Sequence, residues 1–272
     1  MTRWADDVAP QTVHSEYPRP AMVREPWANL NGLWDYAIVP ANAIEPPESW
    51  NGKILVPFCV RSALSGVKKD IAPEEALWYR RVFTVPEAWA GQRILLHFGA
   101  VDWEATIWVN GTEAKRNSGG YDAFHVEITD ALQPGDNELV VRTWDPTDQH
   151  WQPRGKQILE PANIWYTAVT SIWQTVRLEP VPETSIENLR ITSDIDNGAI
   201  LLTADTYNGQ DGDIISVETF DGGEPVVTAA GTPGTQPTIP VRHAKLWSPD
   251  SPHLYDLKTR IHMISATGGA KG

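Results

Sequence analysis

Cysteine is nearly absent: Cys59 is the only one in 272 residues, so no disulfide framework can form within the chain. The apolar run VPFCVRS around it reads as a core thiol rather than a nucleophile. No run of about 18 apolar residues occurs, which excludes a transmembrane helix. The opening MTRWADDVAPQ lacks the apolar stretch of a secretory signal peptide. A soluble, cytoplasmic chain is the expectation.

Positive charge is also short. With 22 basic and 35 acidic side chains the formal charge is −13, which argues against nucleic acid and anionic membranes as partners. The deficit is spread evenly: 16 basic and 23 acidic residues precede position 181, and 6 and 12 follow. The seven histidines are scattered, with no His-x-His or His-x-x-x-His pair to seed a metal site. Arg154-Gly155-Lys156-Gln157 lacks the spacing and hydroxyl of a phosphate loop, and no Gly-x-Ser-x-Gly elbow is present. Neither a metal nor a cofactor is expected.

Turn formers, by contrast, are abundant. Asn-Gly stands at 31–32, 51–52, 110–111, 197–198 and 208–209, and Asp-Gly at 211–212 and 221–222. Such pairs favour tight hairpins, and Asn110-Gly111-Thr112 therefore reads as a hairpin turn although it matches a glycosylation sequon. Between the turns lie short runs such as GLWDYAIV, LWYRRVFTV, QRILLHF and NELVVRTW. PEEALWYRR is the one helix-like stretch, and it reads as a loop leading into a strand from Leu77. About eight short strands in the first part suggest a jelly-roll sandwich. The runs NLRITSDI, AILLTADTY, IISVETF, PVVTAA and LYDLKTRI suggest a smaller immunoglobulin-like one.

Twelve of 13 tryptophans precede residue 181, and Pro180 and Pro182 interrupt an apolar alternation there. The fold class is thus all-β, a jelly-roll β-sandwich over residues 1–181 followed by an immunoglobulin-like β-sandwich over 182–272.

The stretch GAVDWEATIWVNG at 99–111 places Asp102 and Glu104 two apart on one strand, roughly 6–7 Å between Cα atoms. Glycosidases use carboxyl pairs about 5–5.5 Å or 6.5–9.5 Å apart. Like charges on adjacent same-face positions are more simply the polar face of a strand. That reading puts Trp103, Ile107 and Val109 inward. Trp144, Trp151, Trp165 and Trp173 gather in a stretch that also holds Asp145, Asp148, Arg154 and Lys156. Rings beside polar groups suit a sugar or an aromatic core. Core is the reading for Trp173, whereas Trp151 stays open between the two.

Ordered motifs then make the chain familiar. YPRPAMVREPWANLNGLWDY (17–36), LWYRRVFTVPEAW (77–89), GAVDWEATIWVNG, GGYDAFHVEITDAL (119–132), GDNELVVRTWDPTD (135–148) and RGKQ with IWYTAVTSIWQTVRLEP (164–180) resemble the N-terminal region of glycoside hydrolase family 2. This is the family of β-galactosidases, β-glucuronidases and β-mannosidases. KLWSPDSPHLYDLKTRI (245–261) resembles the end of the family's second domain. The resemblance implies a sugar-binding-type jelly roll, an immunoglobulin-like domain, and catalytic glutamates on a following (β/α)₈ barrel. Such a barrel takes about 250 residues, and none of this sequence matches a catalytic glutamate motif. The chain alone, ending at ISATGGAKG, is therefore expected to be inert, with no catalytic residue of its own.

For function, the resemblance implies the non-catalytic N-terminal portion of a retaining exo-β-glycosidase, β-galactosidase-like, that supports the barrel and completes a pocket for a terminal β-linked sugar. Relatives often form homo-oligomers. The resemblance also implies two substrate-binding positions, Asp145 after the strand NELVVRTW and Arg80 in LWYRR. Capping the turn at Pro146 is the competing role for Asp145. Ser171 stands where many relatives have glycine before IWQ, which puts a glycine-only backbone there in doubt. A free-standing carbohydrate-binding module is the alternative, and a purely structural sandwich protein the third reading.

Overall fold

The computed structural model describes residues 2–19 and 21–264. The last eight residues of the expected second domain lie outside that range. All regular structure among the described residues is strand or short 3₁₀ turn, and the chain is all-β. It divides into two compact units, the first ending at Pro180 and the second starting at Val181. Pro180 and Pro182 lie in and just after a continuous strand, which runs through Val181.

The first unit contains β1 (Ala28–Asn29), β2 (Gly32–Pro40), β3 (Gly52–Val56), β4 (Glu75–Thr84), β5 (Arg93–Phe98), β6 (Val101–Asp102) and β7 (Glu104–Val109). It continues with β8 (Thr112–Ser118), β9 (Phe124–Glu127), β10 (Asp136–Trp144), β11 (Gln157–Ile158), β12 (Tyr166–Thr167), β13 (Ser171–Ile172) and β14 (Val176–Val181). A six-stranded sheet in the order β3-β2-β4-β10-β7-β8 faces a four-stranded sheet in the order β1-β14-β5-β9. This is the jelly-roll sandwich.

Alternation makes the core. On β4 Leu77, Tyr79 and Phe83 point inward, as do Leu139 and Val141 on β10 and Ile107 and Val109 on β7. They meet Leu96 and Phe98 of β5 and Val176 and Leu178 of β14. Outward residues of the six-stranded sheet form a second, smaller cluster. Trp78 stacks on Trp108 with centroids 5.3 Å apart, beside Ala37, Ala76 and Val140. Cys59 is only half-buried and belongs to neither cluster, because its run enters a turn rather than continuing β3.

The β7–β8 hairpin turns at Asn110 and Gly111, with φ 49° and 78°. Two left-handed residues in succession make a type I′ turn, which asparagine and glycine tolerate best. The Asn110 side chain also donates to Ala131 O and Asn137 Oδ1 and accepts from Glu138 N. β8, TEAKRNS, is polar except for Ala114 and forms the sheet's edge. Charged side chains on an edge discourage further pairing.

The outer face of the four-stranded sheet is covered by the segment before β1. Glu179 on β14 is fully buried there. Arg24 and Arg177 each approach it to 3.1 Å, as does the His97 ring, and the Tyr17 hydroxyl donates to it. Burial alone would lift the Glu179 carboxyl, but His97, Tyr17 and Arg177 outweigh burial and hold it below the usual range. Burial pushes His97 itself down to about 4.

The second unit has β15 (Ser185–Asp194), β16 (Ala199–Tyr207), β17 (Ile214–Asp221), β18 (Glu224–Gly231), β19 (Thr238–Pro240) and β20 (Asp256–His262). Two three-stranded sheets, β15-β16-β19 and β18-β17-β20, enclose Leu202, Ala204, Ile215, Val217 and Ile239. This is the immunoglobulin-like sandwich.

Candidate functional site

The expected sugar contacts, Asp145 and Arg80, lie on different faces of one sheet. Arg80 pairs with Val140 across β4 and β10 and shares the outward face with Trp78. Its guanidinium binds Glu138 and lies 3.8 Å from Asp35. Asp145 comes just after β10 and follows the inward parity of Leu139, Val141 and Thr143. Five residues of strand past Val140 amount to roughly 17 Å. The two residues therefore do not form one site.

What the structure brings to Asp145 is Asp102. The strand GAVDWEATIWVNG breaks at Trp103: β6 pairs with β13, whereas β7 pairs with β10 and β8. The change of sheet separates the two acids. Glu104 stays exposed on the outward face, while Asp102 is 4 % exposed. Asp102 is thus not part of the polar strand face that unbroken alternation predicts, and Trp103 is half-buried rather than a core residue.

Asp102 stands opposite Ser171 in the β6–β13 register, next to Thr170. Thr170 Oγ1 donates to Asp145 Oδ2 at 3.1 Å. Gln157 Nε2 donates to Asp102 Oδ2 at 3.2 Å, and Gln157 Oε1 accepts from Val169 N. Asp145 Oδ1 accepts from Thr147 N at 2.8 Å, the Asx turn that follows from its place before Pro146. At 3 % exposure Asp145 is almost wholly enclosed. The backbone of Gly120 lies against Asp102, where a Cβ would fall 2.3 Å from Oδ1. Trp173 Nε1 in turn donates to Gly120 O. Ser171 adopts no left-handed φ, so the position does not demand glycine.

Burial, and then the neighbouring Asp145 charge, push Asp102 up to about 7. Burial also raises Asp145, against the hydrogen bonds from Thr147 and Thr170. Neither acid forms a salt bridge among the described residues. Sequence parity missed this pairing because it arises from a change of sheet; the signal available was the GG at 119–120, a close backbone approach.

Above the two acids runs the 25-residue loop 146–170, long enough for a functional loop. The parallel pair β11 and β12 organises it, as do the bonds from Gln152 Nε2 to Thr147 O and Arg154 Nη1 to Asp148 O. Its surface is aromatic: Trp151 is 88 % exposed and Tyr166 65 %, with Trp165 and Ile164 also exposed. Arg154 lies over the Trp165 ring and Lys156 over that of Tyr166. Trp151 is therefore not in the core, and Trp173, expected there, is only half-buried and lies outside the core cluster. Among the described residues no three His, Cys, Asp or Glu side chains gather as metal ligands.

Comparison with known proteins agrees with this architecture. Residues 51–179 match the family model described as glycosyl hydrolase 2 galactose-binding domain-like, and 184–267 the model described as glycosyl hydrolases family 2. The chain is 26 % identical over 266 residues to a β-glucuronidase of Paenibacillus borealis, covering 90 % of this chain and 44 % of that one. Human β-glucuronidase is 25 % identical over 292 residues, with 93 % and 44 % covered. The solved β-glucuronidase of Lactobacillus rhamnosus superposes with a TM-score of 0.70 at 24 % identity, over 93 % of this chain and 44 % of that one. The chain spans less than half the length of these relatives.

Proposed function

The chain belongs to glycoside hydrolase family 2, and from that premise we propose that it is the non-catalytic N-terminal portion of a retaining exo-β-glycosidase. The observation that carries the reading is the pair of family matches, in tandem and in order along the chain. The β-glucuronidases named above move the sugar from the β-galactoside expected at first to a β-glucuronide. The two sandwiches would brace a catalytic barrel, and loop 146–170 would close one side of the pocket for a terminal sugar. Asp145 is the residue of the loop base assigned to that pocket. Arg80 is engaged by Glu138 and Asp35 on the other face, and its role is to hold the sheet.

The test has two parts. The 272-residue chain should not hydrolyse p-nitrophenyl β-glucuronide, and glucuronate titrated calorimetrically should give no saturable binding. Hydrolysis by the chain alone would overturn the reading. In a polypeptide that also carries the barrel, Asp145→Ala should lower kcat/KM by about tenfold or more, the scale of a charged hydrogen bond. Unchanged kinetics would remove Asp145 from the pocket. The exposed rings of Trp151 and Tyr166 support a second reading, a carbohydrate-binding module. Saturable glycan binding by the chain alone would favour it.

A further inference from the structure

Loop 146–170 has little to hold it down beyond its first turn. None of residues 153–169 is buried, and Ile158, Leu159 and Val169 lie outside the apolar core cluster. The backbone of this segment bonds to the loop itself: Gln157 N donates to Arg154 O, Trp165 N to Ala162 O and Tyr166 N to Lys156 O. Arg154 and Leu159 reach no further than Asp148. Among the described residues one hydrogen bond joins residues 153–169 to anything outside the loop, from Gln157 Nε2 to Asp102 Oδ2 at 3.2 Å. The other end of the same amide accepts from Val169 N.

We propose that Gln157 is a positioning residue for the sugar pocket: its carboxamide, bonded to Asp102 at one end and to Val169 N at the other, fixes the exposed face of Trp165 and Tyr166 above Asp145. The inference deepens the pocket reading and rests on it for its functional meaning. Tyr166 stands opposite Gln157 in the β11–β12 register, so the tether and the aromatic face share one strand pair. Asp102 is a fixed anchor. β6 pairs with β13 at Ser171, the Gly120 backbone packs on the Asp102 carboxyl, and Trp173 Nε1 holds Gly120 O. Thr147 and Thr170, bonded to Asp145, pin only the two ends of the loop.

The chemistry of the tether calls for glutamine. A carboxamide carries a donor at one end and an acceptor at the other. Asp102 offers an acceptor and Val169 N a donor, so the amide satisfies both and faces only one way. An N–H donated to a carboxylate is stronger than one donated to a neutral group, and ionisation of Asp102 therefore tightens the tether. Glutamate has the same length but no N–H, and at position 157 it would set a second carboxylate against Asp102. Like charges repel strongly where water is excluded.

Hydrogen–deuterium exchange on the 272-residue chain tests the tether. Gln157→Glu should lower the protection of peptides within 146–170 about tenfold, the scale of one charged hydrogen bond, and leave peptides from β4 unchanged. Combining Asp102→Asn with Gln157→Glu reverses donor and acceptor. The side-chain amide at 102 then donates to the carboxylate at 157, whose other oxygen still accepts from Val169 N. Protection should return to within about twofold of the wild type. Should Gln157→Glu fail to fold, Gln157→Met, unbranched and without polar ends, should show the same loss confined to the loop. Unchanged protection in the single variants, or a double variant no better protected than Gln157→Glu, would overturn the proposal. In a polypeptide that carries the barrel, Gln157→Glu should raise KM about tenfold and leave kcat nearly as it was, because a wall ordered only on binding lowers apparent affinity. Unaltered KM where Asp145→Ala does lower kcat/KM would overturn the positioning role. If neither variant altered the kinetics, the pocket reading would fall and the tether, seen by exchange without sugar, would stand.

Discussion

The jelly-roll unit and the immunoglobulin-like unit are both antiparallel sandwiches, yet their interiors differ in kind as well as in size. Among the described residues, 24 buried apolar side chains make the first core, six of them aromatic, against five in the second and none aromatic. The first unit also encloses Glu179, Arg177, His97, Asp102 and Asp145. Ion pairs of the second unit, such as Arg260–Glu218 and Arg190–Asp205, are partly exposed. Burying an ionisable group costs stability unless it is well partnered. Among the described residues the second unit buries one such group, Asp213, whose carboxylate accepts from Gln210 N and Ile264 N. Buried ionisable groups are thus concentrated in the unit with the larger core.

The largest expected effect is at the buried charges. Glu179→Ala should destabilise the first unit by about 3–5 kcal/mol, because cations remain buried without their carboxylate. Glu218→Ala in the second unit should cost less than about 1 kcal/mol, as for exposed pairs. Urea unfolding read by amide exchange in each unit measures both, and equal losses would break the comparison. Next, Leu139→Ala and Leu202→Ala remove fully buried leucines from the two cores at about 2–5 kcal/mol each. The same exchange experiment should find unit one still folded and unit two largely open. Gly120→Ala should cost about 1–3 kcal/mol by overpacking against Asp102, seen as a lower unfolding midpoint for the first unit alone.

The smallest effect is with pH. Asp102 lies above its ordinary value, at about 7, so the stability tied to its protonation is present at low pH and is lost as pH rises. Between pH 6 and 8 Asp102 should therefore cost the wild type about 1 kcal/mol relative to Asp102→Asn, a difference that removes the opposite contribution of His97 in the same unit. Asp221 in the second unit is held below its ordinary value by Lys245. Its contribution is present at neutral pH and is lost only as pH falls through the carboxylate range. Unfolding series at pH 4, 6 and 8 on wild type and Asp102→Asn should therefore show an Asp102 contribution that falls with rising pH, whereas wild type minus Asp221→Asn should show one that falls with acid.

Much of this architecture was legible in turn pairs and alternation. Asn110-Gly111 marked its hairpin, and GLWDYAIV, NELVVRTW and AILLTADTY are strands close to where their patterns place them. Five strands escape these patterns: TEAKRNS has no apolar alternation because it is a charged edge, and Ala28–Asn29, Gln157–Ile158, Tyr166–Thr167 and Thr238–Pro240 are too short to carry a period. The candidate site was half legible. Asp145 and Arg80 both come from the family resemblance, and sheet parity sends them to opposite faces. Asp102 was weighed against the wrong partner. Its partner is 43 positions on, and only the change of sheet at Trp103 sets the two together. Long-range register of that sort leaves almost no trace in local sequence.

The distribution of tryptophan has a practical consequence for anyone watching this protein unfold. Trp34, Trp78 and Trp89 are deeply buried in unit one, while Trp247, the lone indole of the other unit, is 59 % exposed. Ultraviolet emission therefore reports on the jelly roll and is nearly blind to its neighbour. A fluorescence melt would record a clean single transition whether or not the immunoglobulin-like unit had already come apart.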